Sequence, residues 1–253
     1  MKTKIVYEDD RILVCYKPPG LATQTARVGQ QDMVSELKNY LARANAGHGA
    51  PYLGIVHRLD QPVEGLLVFA KDKKVAASLT AQLSQGTLNK QYYAVVCGKP
   101  ASPSGELVDY LWKDAQTGSA IVRNPKHVPE MAGEVQGNTG EVPKKAVLQY
   151  RVIEEISTPD PVALLDIHID TGRFHQIRAQ LSHAGWPILG DGRYGSVQSI
   201  ELSARLGVRN VALCAYRILL KHPGNGQIME FEKNPSGHIF HHFTTAGFDR
   251  ERE

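Results

Sequence analysis

The 253-residue sequence contains only three cysteines, Cys15, Cys97 and Cys214, which lie far apart in apolar stretches. None belongs to a CxxC pair, and an odd number cannot form a closed set of disulfides. We therefore expect reduced thiols in the core of a cytoplasmic protein.

Long apolar runs are absent as well. No stretch approaches the roughly 20 apolar residues that a transmembrane helix needs. The first residues lead directly into a strand-like pattern and not into an apolar signal segment. The sequence therefore predicts a protein without membrane spans.

Signatures of several common active sites are also missing. The histidines lack the HExxH or paired-cysteine spacing of metal sites. No GxSxG or Walker sequence is present, and the glycine-rich residues 187–195 lack the strand-GxGxxG-helix order of a dinucleotide site. We expect no metal and no cofactor. The net charge of +3 neither requires nor excludes an RNA partner, because local patches dominate binding.

Hydrophobic periodicity predicts a mixture of strands and helices. Strands are expected near residues 5–7, 12–16, 65–70, 90–98, 120–122, 146–152, 164–169, 213–220 and 228–232. Helices are expected after the N-cap residues Asp32 and Asp72 and from Phe174 onwards. The stretch from Trp112 to Pro143 is poorly patterned, and we expect a loop or loose hairpin that orders on RNA.

Asp60 follows the apolar residues 54–56 and precedes a turn containing Pro62 and Gly65. A carboxylate fixed between two strands can act as a nucleophile, a base, a metal ligand or half of an ion pair. Taken alone, however, the segment is more typical of a turn former or a salt bridge.

Arg178 lies on the apolar face of the predicted helix that contains Ile177 and Leu181. Burial of an unpaired guanidinium is expensive. Arg178 therefore either reaches water at the edge of that face or pairs with a buried carboxylate, for which the chain offers Asp60.

Four blocks of the sequence resemble the motifs of RluA-type pseudouridine synthases. In chain order they are residues 9–20, ending in KPPG; residues 54–60 (GIVHRLD) with 65–71 (GLLVFAK); residues 90–96 (KQYYAVV); and residues 171–178 (TGRFHQIR) with 185–195. They occur in the order found in that family and extend from about the tenth residue towards the C-terminal hairpin.

This resemblance implies an α+β fold with a mixed, largely antiparallel sheet, flanking helices and a central catalytic cleft. It implies one catalytic domain over residues 1–253, without a separate N-terminal RNA-binding domain. It also implies an isomerase that converts uridine to pseudouridine in structured RNA, either rRNA or tRNA, without a cofactor. We expect a monomer.

By position, the resemblance assigns Asp60 as the nucleophile for a flipped-out uridine, Tyr92 as the tyrosine that packs on the target base, and Arg178 as the partner of the aspartate. Contacts with substrate or RNA are expected from His57, Arg58, Lys144, Lys145, Arg173 and His175. The chain departs from the family pattern at residues 61–64 (QPVE), which replace a more usual Thr-Ser pair, and at Phe174, which replaces a commoner threonine.

Two other functions compete with this interpretation. A non-catalytic RNA-binding protein could use the same fold, although Asp60 is present. A carboxylate-based nucleosidase would need a second positioned acid near Asp60, for which Glu64 is the nearby candidate.

Overall fold

The computed structural model describes residues 1–25, 29–44, 50–127, 142–157 and 160–244. The chain forms two compact units. The first contains Met1–Gln91 and Cys214–Ser236, and the second contains Tyr92–Leu213 and Gly237–Glu253. That these units act as one catalytic domain stays a prediction.

The described residues contain eleven strands and four α-helices. The strands are β1 (Lys4–Glu8), β2 (Ile12–Lys17), β3 (Gly54–Ile55), β4 (Glu64–Ala70), β5 (Asn89–Cys97), β6 (Ser104–Lys113), β7 (Ala120–Arg123), β8 (Lys144–Ile156), β9 (Val162–Ile169), β10 (Leu213–Lys221) and β11 (Ile228–Glu232). The helices are α1 (Met33–Ala44), α2 (Lys73–Ser84), α3 (Gln176–His183) and α4 (Val197–Arg205). No helix in these ranges has the length and apolar character required to cross a bilayer.

The first unit is a mixed, mostly antiparallel sheet with helices α1 and α2. Strand β4 pairs antiparallel with β2 and β3, and β10 pairs antiparallel with β11. Strands β4 and β10 are paired in parallel, with Cys214 and Ala215 of β10 opposite Glu64 and Gly65 of β4. A Cβ on Gly65, which has φ 132°, would lie 2.5 Å from backbone atoms of Ala215, so this close approach requires glycine.

The second unit contains an antiparallel ladder in which β8 lies between β6 and β9, and β7 pairs with β6. Helix α3 packs on β6, β7 and β8. The contact is formed by small and medium-sized buried side chains, with Tyr194 packed against them: Leu111, Ala120, Val122, Ala146 and Ala179. Small residues allow the helix to approach the sheet closely, and this places the N-terminal end of α3 near the ends of these strands.

The predicted α+β class and the mixed, largely antiparallel sheet are confirmed, and most predicted strands are found within a few residues of their expected positions. Strand β6 and helix α4 were not predicted. The first three residues of β6 are exposed and the next two are half-buried, so this half of the strand lacks an alternation of buried residues. In α4, Val197 and Ile200 are exposed, whereas Leu202 is buried together with Ser199 and Ser203, so its apolar residues do not share one face.

Two boundaries differ from the prediction. Phe174 precedes α3 and does not belong to it, because His175 adopts a left-handed backbone conformation at φ 52°, ψ 27°. Lys144 and Lys145 belong to β8, which was predicted to begin at residue 146. The poorly patterned stretch is partly regular, since it includes the end of β6 and all of β7, while residues 128–141 lie outside the described residues.

Candidate active site

Asp60 occupies a tight turn between β3 and β4 whose backbone is held at several points. The carbonyl of Asp60 accepts the N–H of Val63 at 3.0 Å. The preceding residue, Leu59, is fixed by the hydroxyl of Thr23, which donates to its carbonyl at 3.0 Å and accepts its N–H at 3.3 Å. Leu59 is buried and Asp60 is half-buried. The turn therefore presents a rigidly placed carboxylate that is still partly accessible.

Lys17 anchors this turn to the loop that follows β2. Its side chain is fully buried, and its ammonium donates to the carbonyl oxygens of Leu21 at 2.7 Å, Gln61 at 3.0 Å and Pro18 at 3.1 Å. Burial lowers the pKa of Lys17 to about 8, while the nearby carboxylates of Asp60 and Glu64 act in the opposite direction. Lys17 is not among the site residues predicted from the sequence, although a lysine between a buried strand and two prolines was an available signal.

Glu64, the possible second acid, is engaged elsewhere. Its carboxylate is 2% exposed and accepts hydrogen bonds from the Tyr16 hydroxyl at 2.5 Å and from the backbone N–H and the hydroxyl of Ser236. Burial raises the pKa of Tyr16 far above its usual range, so its hydroxyl stays a donor. Glu64 therefore ties β4 to the segment after β11, and these three donors converge on Oε2 of a buried carboxylate.

His57 and Arg58 point in different directions. Arg58 is exposed and available for contact with a ligand. His57 is buried, and its Nε2 accepts the N–H of Val68 in β4 at 3.2 Å. Burial lowers the pKa of His57 well below its usual value, so the ring is neutral. The expected RNA contact of His57 is not supported by this geometry, because a buried neutral ring bonded to β4 has no surface to offer.

Arg178 has a buried carboxylate partner in its own unit, and that partner is Asp191. Arg178 Nε and Nη2 donate to the two oxygens of Asp191 at 2.7 Å and 2.9 Å, and the side chains are only 6% and 0% exposed. The backbone N–H groups of Arg193 and Tyr194 also donate to this carboxylate. Burial acts to raise the pKa of Asp191, but these donors and the Arg178 charge outweigh it, so the pKa lies below its usual value.

Of the two alternatives for Arg178, exposure to water at the edge of the helix face is wrong, and a buried carboxylate partner is found, namely Asp191. Asp191 was not predicted as a site residue, although its place between two glycines in a tight turn was an available signal. The pairing of Arg178 with Asp60 stays a prediction.

Tyr194 connects Arg178 to the loop before α3. Its ring centroid lies 5.1 Å from the Arg178 guanidinium carbon. Its hydroxyl accepts the N–H of Ala120 at 2.7 Å and forms a hydrogen bond with His175 Nδ1 at 2.8 Å. His175, expected from the sequence to contact RNA, is thus held at the start of α3.

The remaining predicted contact residues lie close to this loop. Arg173 is exposed, and its Nε donates to the carbonyl of Lys145 at 3.1 Å. Lys144 and Lys145 are exposed at the start of β8. The structure thus brings Arg173, His175 and Lys145 together at the N-terminal end of α3.

Tyr92 and Tyr93 alternate in β5 as expected for a strand. Tyr92 is 4% exposed, whereas Tyr93 is half-buried. The assignment of Tyr92 to base packing stays a prediction, and it requires a face of this largely covered ring to become accessible.

Within the described ranges, no three histidine, cysteine, aspartate or glutamate side chains are grouped in a way that could hold a metal ion.

Comparison with known proteins relates this arrangement to one family. Residues 11–183 match the sequence model of a family described as RNA pseudouridylate synthase. The chain is 34% identical over 232 residues to "Ribosomal large subunit pseudouridine synthase D" of Nitrosomonas europaea, which covers 90% of this chain and 61% of that protein. It is 34% identical over 240 residues to the protein of the same name from Pseudomonas aeruginosa, covering 92% of this chain and 68% of that protein.

The chain spans about three fifths of the length of the first relatives that it matches. Among solved structures, "Human RNA Pseudouridylate Synthase Domain Containing 4" has a TM-score of 0.70 at 23% identity, over 94% of this chain and 90% of that chain. This likeness supports the fold.

The first prediction concerns Lys17. Lys17→Met leaves three carbonyl oxygens without their donor, so we expect the free energy of unfolding to fall by about 3 kcal/mol. The pKa of Lys17 in the folded protein, about 8, lies below its ordinary value of 10.5. Between these two pH values the unfolded chain binds more protons than the folded protein, so the contribution of Lys17 to the free energy of unfolding rises with pH. Urea unfolding at pH 7 to 10 checks both effects, with exposed Lys38→Met as the control. A pH-independent difference from the unaltered protein would contradict the assignment.

The second prediction concerns the buried ion pair. Asp191→Asn removes the charge that compensates Arg178, so we expect a loss of about 3–5 kcal/mol in unfolding free energy. The double variant Arg178→Met, Asp191→Leu should lose clearly less unfolding free energy than the sum of the losses in the single variants Arg178→Met and Asp191→Leu. Asp160→Asn, which breaks the exposed pair with Arg205, is the matched control and should cost at most about 1 kcal/mol. Additive single effects at Arg178 and Asp191 would show that the pair is not coupled.

Proposed function

The chain belongs to the RNA pseudouridylate synthase family, and we propose that it converts uridine to pseudouridine in RNA of the large ribosomal subunit. The activity is proposed from the family, and the RNA is proposed from the names of the relatives, which are ribosomal large subunit pseudouridine synthases. Transfer RNA is the alternative substrate.

The observation that carries the proposal is the placement of Asp60. It lies within the residues that match the family, on a turn fixed by Thr23 and by the Lys17 ammonium through Gln61. Catalysis depends on holding a reacting group in position, and a rigid, partly accessible carboxylate satisfies that requirement.

The proposed reaction makes an isomer. The bond between uracil N1 and ribose C1′ breaks, C5 forms a new bond to C1′, and the proton lost from C5 is balanced by one gained at N1. No co-reactant is consumed. Asp60 is proposed as the nucleophile, acting on the base or the sugar, with removal of a sugar proton as the other route for the same carboxylate.

The target uridine must leave its stack before the glycosidic bond is reachable, at a cost of a few kcal/mol. We propose that Tyr92 packs against the released base, since base–aromatic stacking contributes about 1–3 kcal/mol. Arg58 is exposed two residues before Asp60 and is proposed to contact the flipped nucleotide or its backbone. Arg178, oriented by Asp191, is proposed to face the Asp60 carboxylate during the reaction.

The nucleosidase alternative is weakened by Glu64. A second acid must exchange protons with the substrate or water, whereas Glu64 is buried and bonded to Tyr16 and Ser236. The two functions also give different products. A pseudouridine synthase incubated with large-subunit rRNA from a strain that lacks the gene should yield pseudouridine after digestion of the RNA to nucleosides. A nucleosidase would release free uracil. Unchanged rRNA that nevertheless binds the protein would favour the non-catalytic alternative.

The third prediction concerns Asp60. Asp60→Asn preserves the shape of the side chain but removes its negative charge, so we expect pseudouridine formation to vanish while folding and RNA binding persist. Asp10→Asn, an exposed aspartate in the same unit, should remain fully active. Measurable turnover by Asp60→Asn protein, prepared without contaminating unaltered enzyme, would remove Asp60 from the mechanism.

The fourth prediction compares the two adjacent tyrosines. Tyr92→Phe keeps the ring and should retain RNA binding. Tyr92→Ala removes the ring, and its single-turnover activity should be at least about ten times lower than that of Tyr92→Phe. The half-buried Tyr93 provides the matched control. If Tyr93→Ala is damaging and Tyr92→Ala is silent, the more accessible ring is the one that meets the base.

A further inference from the structure

Phe174 is an exposed aromatic side chain in the loop before α3. Its side chain is 42% exposed, and its ring stacks on that of His175 with centroids 3.7 Å apart and planes 22° from parallel. A single exposed apolar residue needs no special explanation. Around Phe174, however, the backbone is strained and the neighbouring side chains are positively charged.

The loop backbone is held in a costly conformation. Among the described residues, His175 is the one non-glycine residue with a positive φ, 52°. Such a conformation costs on the order of 1–3 kcal/mol and persists where neighbouring contacts enforce it, often at ligand-binding sites. Here Gln176 Oε1 accepts the Arg173 N–H and the Thr171 hydroxyl, and Tyr194 bonds to His175. These contacts fix the stacked pair of rings at the surface.

Positive charge surrounds the stacked rings. The ammonium of Lys113 lies 5.2 Å from the Phe174 ring centroid. Lys144 is paired with Leu111, two residues from Lys113, so both lysines project from the same face of the ladder. Arg173 is exposed beside them. The nearby Asp114 carboxylate accepts from Gln116 and Thr117 in its own turn.

The rings also connect to the proposed active site. His175 contacts Tyr194 with centroids 5.7 Å apart, and the Tyr194 ring lies 5.1 Å from Arg178. Phe174 is thus linked to Arg178 by three successive ring contacts, through His175 and Tyr194.

From these observations we propose that the Phe174–His175 pair is a stacking platform for an unpaired base of the substrate RNA, with Lys113 and Arg173 meeting its phosphates. A stacking ring beside cations is the arrangement by which proteins hold single-stranded RNA. This proposal rests on the proposed function, because it takes RNA as the substrate. It adds a binding site for a second nucleotide, outside the reacting centre.

The test uses a fluorescent RNA of about 20 nucleotides from large-subunit rRNA, with the modified uridine at its centre. Phe174→Ala should weaken binding about tenfold, within the range expected for one lost base–aromatic stack. Phe174→Tyr should bind normally. Tyr40→Ala, another exposed aromatic, in α1, is the matched control and should bind normally. The slope of log affinity against log salt should stay unchanged for Phe174→Ala and become shallower for Lys113→Ala, since only the lysine neutralises phosphate.

A set of RNAs in which one base at a time is replaced by an abasic nucleotide identifies the stacked base. At that position, removal of the base should weaken binding to the unaltered protein, and Phe174→Ala should cause no further loss. At all other positions the tenfold effect of Phe174→Ala should remain.

Normal RNA affinity of Phe174→Ala would overturn the proposal. The proposal would also be overturned if Phe174→Ala weakened binding by the same factor for every RNA of the abasic series, because a structural defect of the variant would produce that result. Failure of the proposed function is a separate outcome: if the unaltered protein forms no pseudouridine in large-subunit rRNA or in transfer RNA, that function is wrong whatever Phe174 does.

Discussion

The Lys17 ammonium is the contact on which the geometry around Asp60 depends. A fully buried cation is costly unless its donors are satisfied, and here three carbonyl oxygens from two loops satisfy them. One of these carbonyls belongs to Gln61, the residue after Asp60. The interaction is therefore coupled to the candidate nucleophile, because the turn cannot move without removing an acceptor from a buried charge. The negative charges of Asp60 and Glu64 further favour the protonated lysine.

The second unit holds Arg178 by a different interaction. Arg178 is bonded at two points to Asp191, which is itself held by backbone N–H groups and shielded from water. The guanidinium plane is thereby set in advance, and the Tyr194 ring adds a face for it to pack on. A lysine would lose the planar two-point contact, so the residue type follows from the geometry. The same tyrosine positions His175, and this links the buried pair to the surface ring of Phe174.

Local pattern predicted much of the regular structure. Alternation and β-branched content located β2, β5 and β10, and aspartate caps located α1 and α2. The pattern failed where burial did not follow it. The first five residues of β6 include none that is buried, and α4 buries serines that hydrogen-bond within and beside the helix. It also placed Phe174 inside α3, because the left-handed backbone of His175 depends on Tyr194 and Gln176 and has no signature of its own in the sequence.

The sequence by itself determined the order of the motif blocks, the family they indicate and the candidate carboxylate, because these depend on residue identity and spacing. Tertiary structure alone decided which partners the polar side chains meet. It paired Arg178 with Asp191, engaged Glu64 with Tyr16 and Ser236, buried His57 under β4 and left Phe174 at the surface. Many of these contacts join residues far apart in the chain. Desolvation and hydrogen bonding choose among such partners only after the fold has brought them together, so residue spacing carries no record of the choice.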